Sequence, residues 1–259
     1  MDKGKNMALE LRNIRAGYGS GTIIDIGGYA FERGRITSIM GNNGSGKSTL
    51  LKVMDTQLSY EGSVTVDGAE MTKMSHTERA KMVAYLPQHL SPVAMSVRML
   101  VSHGRFPYKS FGHNLSKEDD RIIDEAMETV EVAGLSHRQV SSLSGGEMSR
   151  AYIAMVIAQK SRYILLDEPT SNLDIEHQIR LMEILKELTK KGIGIIMASH
   201  DIPLAATYSN EVVLIGSGRI IDSGRPDEIS KRDSLKRAIG VGIERVTSST
   251  PLFGYQLIK

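Results

Sequence analysis

The residues best equipped for chemistry form one short run, Gly41-Asn42-Asn43-Gly44-Ser45-Gly46-Lys47-Ser48-Thr49. Its glycines let backbone N–H groups turn inward around phosphate oxygens. Lys47 offers a point charge that can reach β- and γ-phosphates, and the Ser48 hydroxyl can ligate Mg²⁺. The flanks fit the same chemistry. Arg35–Met40 is apolar enough for a buried strand, and Leu50–Met54 opens a helix. A helix starting near Lys47 would add the positive end of its dipole to the loop. A glycine-rich turn with a chance lysine would share neither the spacing nor the flanks. The run predicts a site for a nucleoside triphosphate.

A second group lies in Ile164-Leu165-Leu166-Asp167-Glu168-Pro169. An apolar strand that ends in a carboxylate sets that carboxylate at the edge of the sheet, beside the phosphate loop. Asp167 can then hold Mg²⁺ through water. Glu168, one residue on, points elsewhere and is placed to polarise an attacking water. A third group is Leu143-Ser144-Gly145-Gly146-Glu147, ahead of a helix running to Gln159. Serine and glycines at a helix start make either an ordinary cap or an anion nest. Its place between the phosphate loop and the Asp-Glu strand end favours the nest.

The elements that must position these groups read in order along the chain. Ala8–Ile14 alternates as a strand and leads to a turn at Ala16-Gly17-Tyr18-Gly19. Ile23–Ile26 and Tyr29–Phe31 read as short strands, and Gly62–Gly68 as a strand ending in an Asp-Gly turn. Met82–Gln88 reads as a core strand stopped by Pro87. From about Ser91 to Gln159 the pattern turns helical. Lys117 to Gly134 sets Ile122, Ile123, Ala126, Met127, Val130 and Ala133 on one stripe, with Gly134 as its stop. Arg162–Asp167 and Ile193–Ser199 are near-continuous apolar runs, expected for strands covered on both faces. Between them a helix from Ile175 to Lys191 should turn Ile179, Met182, Leu185 and Leu188 inward. Glu211–Ile215 and Arg219–Asp222 form a hairpin, and short helices follow Arg225. The reading is a single domain over residues 1–240, with a helical subdomain inserted at about 91–159 in a parallel α/β core. Residues 241–259 form a tail to which no role is assigned.

Bulk properties exclude some classes. The 259 residues suffice for a sizeable core. With 32 basic and 30 acidic residues, nothing calls for a nucleic-acid partner or an acidic surface. The absence of cysteine excludes disulfides, thiolate zinc sites and cysteine nucleophiles. Met1–Asn6 is not followed by the apolar region of a signal peptide, and no window is apolar enough to span a bilayer.

Taken together, these motifs resemble those of ATP-binding-cassette (ABC) ATPases over roughly Leu9 to Ile229. Gly41–Thr49 resembles Walker A, Ile164–Glu168 Walker B with its glutamate, and Leu143–Glu147 the LSGGE signature. Gln88 matches the Q-loop glutamine, Ser171-Asn172-Leu173-Asp174 the D-loop, His200 the H-loop histidine and Tyr18 the aromatic that stacks on adenine. The signature continues as Met148-Ser149-Arg150, where the family commonly has glutamine before the arginine. A finer resemblance lies in Gly104-Arg105-Phe106-Pro107-Tyr108, Ile153-Ala154-Met155 and Leu173–Gln178, which are similar to importers of iron–siderophore, haem and cobalamin. Tyr108 is often His in that group, and the alternative for Gly104–Pro107 is a plain turn between helices.

The resemblance implies a P-loop NTPase fold of the ABC ATPase type: a parallel-sheet core, an antiparallel β subdomain and an inserted helical subdomain. It implies that two copies sandwich two ATPs head to tail. Lys47, Ser48, Asp167 and Gln88 would hold phosphate and Mg²⁺, the last three as metal ligands. Glu168 would orient water and His200 would touch the γ-phosphate. Ser144, Gly145, Gly146, Glu147 and Asp174 would belong to the nucleotide contacts of the closed pair. The implied partners are a second copy, transmembrane permease subunits and, indirectly, a substrate-binding protein, at the cytoplasmic face of the cell membrane. Apolar residues after Gln88, including Val93 and Met95, would line a groove for a permease helix or else pack the insertion onto the core. A soluble ABC ATPase would more often carry coiled-coil insertions, paired cassettes or zinc cysteines. A non-hydrolysing module would need neither Glu168 nor His200.

Overall fold

The computed structural model describes residues 8–19, 21–109 and 114–240, and the backbone of strands at 242–246 and 252–256. The leader reading at Met1–Asn6 and the rest of the 241–259 tail lie outside the described residues. Strands β1 (Ala8–Tyr18) and β2 (Gly21–Glu32) open the chain. β3 (Ile36–Met40) leads through the glycine loop into helix α1 (Lys47–Met54). Then come β4 (Tyr60–Val66), β5 (Ala69–Glu70), α2 (His76–Met82) and β6 (Val83–Leu86). Helices α3 (Val97–Ser102), α4 (Lys117–Thr129) and α5 (Gly145–Ala158) separate β6 from β7 (Tyr163–Asp167). Next are α6 (Ile175–Lys190), β8 (Gly194–Ala198), α7 (Ile202–Tyr208), β9 (Glu211–Gly216) and β10 (Arg219–Gly224). α8 (Pro226–Ile229), α9 (Asp233–Ile239) and the hairpin β11 (Gly242–Val246) and β12 (Leu252–Gln256) end it.

The strands form a six-stranded sheet, β10-β9-β3-β8-β7-β6, and a four-stranded sheet, β2-β1-β4-β5. In the first, β9, β3, β8, β7 and β6 run parallel and β10 is antiparallel. The second is antiparallel throughout. Every residue of β3, β7 and β8 is buried, because one core layer covers each face. One layer joins the antiparallel sheet and α1 to the parallel sheet through Phe31, Leu50, Leu165 and Ile196. The other gathers α3 to α7 on the opposite face through Leu100, Met127, Ile157 and Met182. Side chains at the strand ends therefore stand on a rigid base.

Local expectations changed in four places. The two short strands expected after Gly19 are one, β2, because it pairs with β1 from Tyr18↔Gly21 to Ala8↔Glu32, with its Gly28 opposite Arg12. The helix expected to stop at Gly134 ends at Thr129, and Glu131 takes the left-handed conformation, φ 59°. Gly134 sits in a following 3₁₀ turn. On α6 the inner stripe is Leu181, Met182, Leu185 and Leu188, while Ile179 is 45% exposed. The strand expected over Met82–Gln88 shortens to β6, because Met82 completes α2. Helices α2 and α7 had no strong apolar period and were not predicted.

The Gly104–Tyr108 segment is a clamp between helices. It forms a 3₁₀ turn, and a Cβ on Gly104 would lie 2.3 Å from the Met155 carbonyl oxygen, so only glycine fits. Arg105 is buried, donates to Asp119 Oδ1 at 2.8 Å and to the Ala158 carbonyl at 2.8 Å, and stacks on Tyr108 with its guanidinium carbon 4.0 Å from the ring centre. It thus ties the start of α4 to the end of α5.

Candidate functional site

The glycine loop turns where β3 leaves the sheet. A Cβ on Gly41 would lie 2.2 Å from the Ile215 carbonyl oxygen, so β3 exits tightly against β9. Gly44 and Gly46, at φ 76° and 105°, reverse the backbone in the left-handed region. Ser45 N–H donates to Asn42, and the Ser45 carbonyl accepts from Gly218, which pins the loop to the β9–β10 turn. Gly46 caps α1 without a side-chain bond, so the helix's first amides are left for an anion. Lys47 Nζ donates to the carbonyls of Gly41 at 2.7 Å and Asn42 at 3.1 Å. Burial pushes its ammonium below the usual lysine range, and the nearby carboxylates of Glu168 and Asp167 oppose that shift. Thr49 is buried behind it.

These residues open onto a cleft of about 590 Å³, whose walls include Asn43, Lys47, Ser48, Gln88, Glu168 and His200. Glu168 lines the cleft, whereas Asp167 is buried beside it. Ser48 Oγ donates to Asp167 Oδ1 at 3.0 Å. Glu168 has φ 53°, rare for a residue with a side chain. Its N–H donates to Ala198 at 3.0 Å, and its carbonyl accepts from Ser171 N–H at 3.2 Å and Ser171 Oγ at 3.0 Å. That turn aims the carboxylate away from Asp167. Gln88 Nε2 donates to Glu168 Oε2 at 2.6 Å, and His200 Nε2 lies 2.5 Å from Oε1. A carboxylate held between an amide and an imidazole keeps a free acceptor site on each oxygen and can take a proton from water there. The oxygen donors Ser48, Asp167 and Gln88 suit a hard divalent cation. No cluster of three or more acidic, histidine or cysteine groups fit to hold a metal occurs among the described residues. Such a site therefore needs phosphate and water oxygens to complete it.

Tyr18 ends β1 half exposed, and Lys52 Nζ on α1 lies 3.3 Å from its hydroxyl. Its ring offers a face on which a base can stack. The signature residues do not line the cleft. Ser144 caps α5 in a reciprocal box: Ser144 N–H donates to Glu147 Oε2 at 2.8 Å, and Ser144 Oγ accepts from Glu147 N–H at 3.3 Å. Those backbone and hydroxyl bonds hold the Glu147 carboxyl below the usual range. Gly145 and Gly146 follow at the exposed start of α5, against Asn172 of the 171–174 loop. Asp174 caps α6 by accepting from His177 N–H at 2.9 Å. Ser149, which replaces the common glutamine, is buried.

After Gln88 the chain runs without helix or strand to Met95. Val93 and Met95 are half-buried against the larger core layer, while Pro92 and Ala94 are exposed. The packing alternative thus accounts for these two side chains, and any groove for a partner lies on the exposed residues beside them. The sequence reading missed Ile23, which lines the cleft, and Tyr85, whose hydroxyl lies 3.4 Å from Asp167 Oδ2. Strand parity on β6 was the available signal for Tyr85. No helix among the described residues is long and apolar enough to cross a membrane.

Comparison with known proteins supports the same reading. The ABC transporter family matches residues 28–171. The chain is 38% identical over 259 residues to the iron(3+)-hydroxamate import ATP-binding protein FhuC of Bacillus subtilis (strain 168), covering 97% of this chain and 96% of that one. It is 35% identical over 245 residues to the ferric enterobactin transport ATP-binding protein FepC of Escherichia coli (strain K12), covering 92% and 90%. In fold it is similar to the dimeric ATP-binding cassette MJ0796 in a post-hydrolysis state with ADP and Pi, at TM-score 0.75 and 24% identity over 84% of this chain and 98% of that one. The chain belongs to the ABC transporter family, as one of its ATP-binding ATPase subunits.

Proposed function

We propose that this chain works as a pair of copies that hydrolyse Mg²⁺-ATP to drive import of an iron–siderophore or haem complex through a membrane permease. The observation that carries hydrolysis is the grip of Gln88 and His200 on Glu168 beside Lys47 and Ser48. In this reading Lys47 and the first amides of α1 bind the β- and γ-phosphates, and Tyr18 stacks on the base. Ser48, Asp167 and Gln88 would hold Mg²⁺, which would supply charge neutralisation at the phosphates. Glu168 orients the attacking water and His200 contacts the γ-phosphate. The exposed Ser144-Gly145-Gly146 turn stands outside this chain's own cleft, so a second copy is needed to bring it to the phosphates. ATP then favours the closed pair because it touches both copies only there, and hydrolysis releases them.

The cargo class rests on relatives whose names give iron-hydroxamate and enterobactin transport, and which this chain matches over nearly its full length. The permease would dock near the exposed Pro92 and Ala94, next to Gln88, at the cytoplasmic face of the membrane, with a substrate-binding protein on the far side. The test is reconstitution of this chain with its permease in liposomes. ATP-dependent uptake of a ferric siderophore or haem, lost in Glu168→Gln and reduced in Ala94→Glu, is the expected result. ATPase activity with no permease association would overturn the transport reading.

A further inference from the structure

Asp167 is 3% exposed. A carboxylate buried that deeply needs hydrogen-bond partners. Ser48 serves Oδ1, and the Tyr85 hydroxyl donates to Oδ2 at 3.4 Å. Strand parity puts the two side chains on one face of the sheet. β6 and β7 pair in parallel with Tyr85 opposite Leu165. Val83, Tyr85, Tyr163 and Leu165 belong to the core layer that holds α1, whereas Ala84, Leu86, Ile164 and Leu166 belong to the other layer. Asp167 continues the first series by two residues, so its side chain emerges on the α1 face. There Ser48 approaches from the start of α1 and Tyr85 from the neighbouring strand.

We infer that Tyr85 is a positioning residue for the metal-bearing carboxylate: its hydroxyl holds Asp167 Oδ2 so that Oδ1 stays aligned with the Ser48 hydroxyl. The inference rests on the ATPase reading above. A carboxylate tethered through one oxygen can swing about its broad terminal torsion. A second tether, delivered by a ring packed on a rigid sheet, removes that freedom. A hard cation needs the Ser48 and Asp167 oxygens presented together. Loss of an outer partner of a metal ligand typically costs about 10–100-fold in affinity, and the length of this bond sets the expectation near tenfold.

The test is Tyr85→Phe in the full chain, which keeps the packed ring and deletes only the donor. Mn²⁺ binding to the ADP complex is read by electron paramagnetic resonance, and ADP binding in EDTA by calorimetry. The expected result is Mn²⁺ affinity weaker by about tenfold, with metal-free ADP affinity unchanged. The Mg²⁺ concentration for half-maximal ATPase should rise, with the rate largely recovered at saturating Mg²⁺. Unchanged Mn²⁺ affinity would overturn the inference. So would an equal loss of metal-free ADP binding with a lowered melting temperature, since that marks a packing role. A wild-type chain that binds no nucleotide would overturn the ATPase reading and this inference with it.

Discussion

His200 Nε2 lies 2.5 Å from Glu168 Oε1, while Gln88 Nε2 donates to the other oxygen of the same carboxylate at 2.6 Å. Glu168 is thereby fixed from both sides of the cleft, by a residue after β6 and one after β8. Its left-handed backbone, held by Ser171, makes that aim possible. Each oxygen keeps a further acceptor site toward the cleft, so Gln88 and His200 set the carboxylate's orientation toward an attacking water without blocking it.

Glu168→Gln follows directly. An amide cannot take the proton, and general-base loss typically costs about 10²–10⁴ in rate. The amide also removes a negative charge near the phosphates, so ATP should stay bound. With ATP and Mg²⁺ the variant is expected to elute as a dimer in size exclusion and to show almost no phosphate release. A monomer under those conditions would count against the two-copy site.

Lys47→Ala should bind ATP poorly. Nζ is held by the Gly41 and Asn42 carbonyls, at the mouth of the loop whose amides face the anion. A hydrogen bond to a charged group is worth about 1.5–3 kcal/mol, so calorimetry should show affinity falling at least tenfold. Affinity equal to wild type would mean that the loop does not bind phosphate.

The glycine loop and the Asp167–Glu168 strand end were legible because each packs its chemistry into a few consecutive residues. β3, β7 and β8 were legible because burial on both faces leaves an uninterrupted apolar run. The grip on Glu168 was not, since its partners come from separate strands and only the sheet order brings them together. Tyr85 was missed because a tyrosine in a core strand signals packing until its hydroxyl is seen beside a carboxylate. α2 and α7 are too short to show a helical period, and the exposed Ile179 was misread because its residue type outweighed its position on α6.

Stability of the helical insertion should depend on Arg105. Arg105→Ala would leave Asp119 buried with only Ser116 as partner. Breaking a buried pair costs about 3–5 kcal/mol. At about 2–4 °C per kcal/mol for a chain of this size, the melting temperature should fall on the order of 10 °C. Burial opposes ionisation of Asp119, but bonds from Ser116 and Arg105 outweigh it and hold the carboxyl below the usual range. The pair's contribution is therefore present above the ordinary carboxylate pKa and fades as the pH falls through the depressed one. A change under 2 °C (about 1 kcal/mol or less) at neutral pH would show that the clamp is not stabilising.

Asp55 gives the opposite sign. It caps the C-terminal end of α1, where its N–H bonds the Leu51 carbonyl at 3.0 Å. Burial raises its pKa to about 6, against the lowering effects of a hydrogen bond from Gln57 and the charge of Arg79. The negative end of the helix dipole at that position also disfavours the anion. Folding therefore favours the protonated acid. Stability from this group is full below the unfolded pKa near 4 and is lost as the pH rises to the folded value of about 6. Above that it stays flat, at a cost of about 2–3 kcal/mol by linkage. Asp55→Asn keeps the shape and an acceptor for Gln57 but carries no charge. Urea unfolding should show the variant more stable than wild type by that amount at pH 8, with roughly half the advantage at pH 5. If the two unfold at the same urea concentration at pH 8, Asp55 is ionised in the folded chain without penalty, and its burial does not govern its charge.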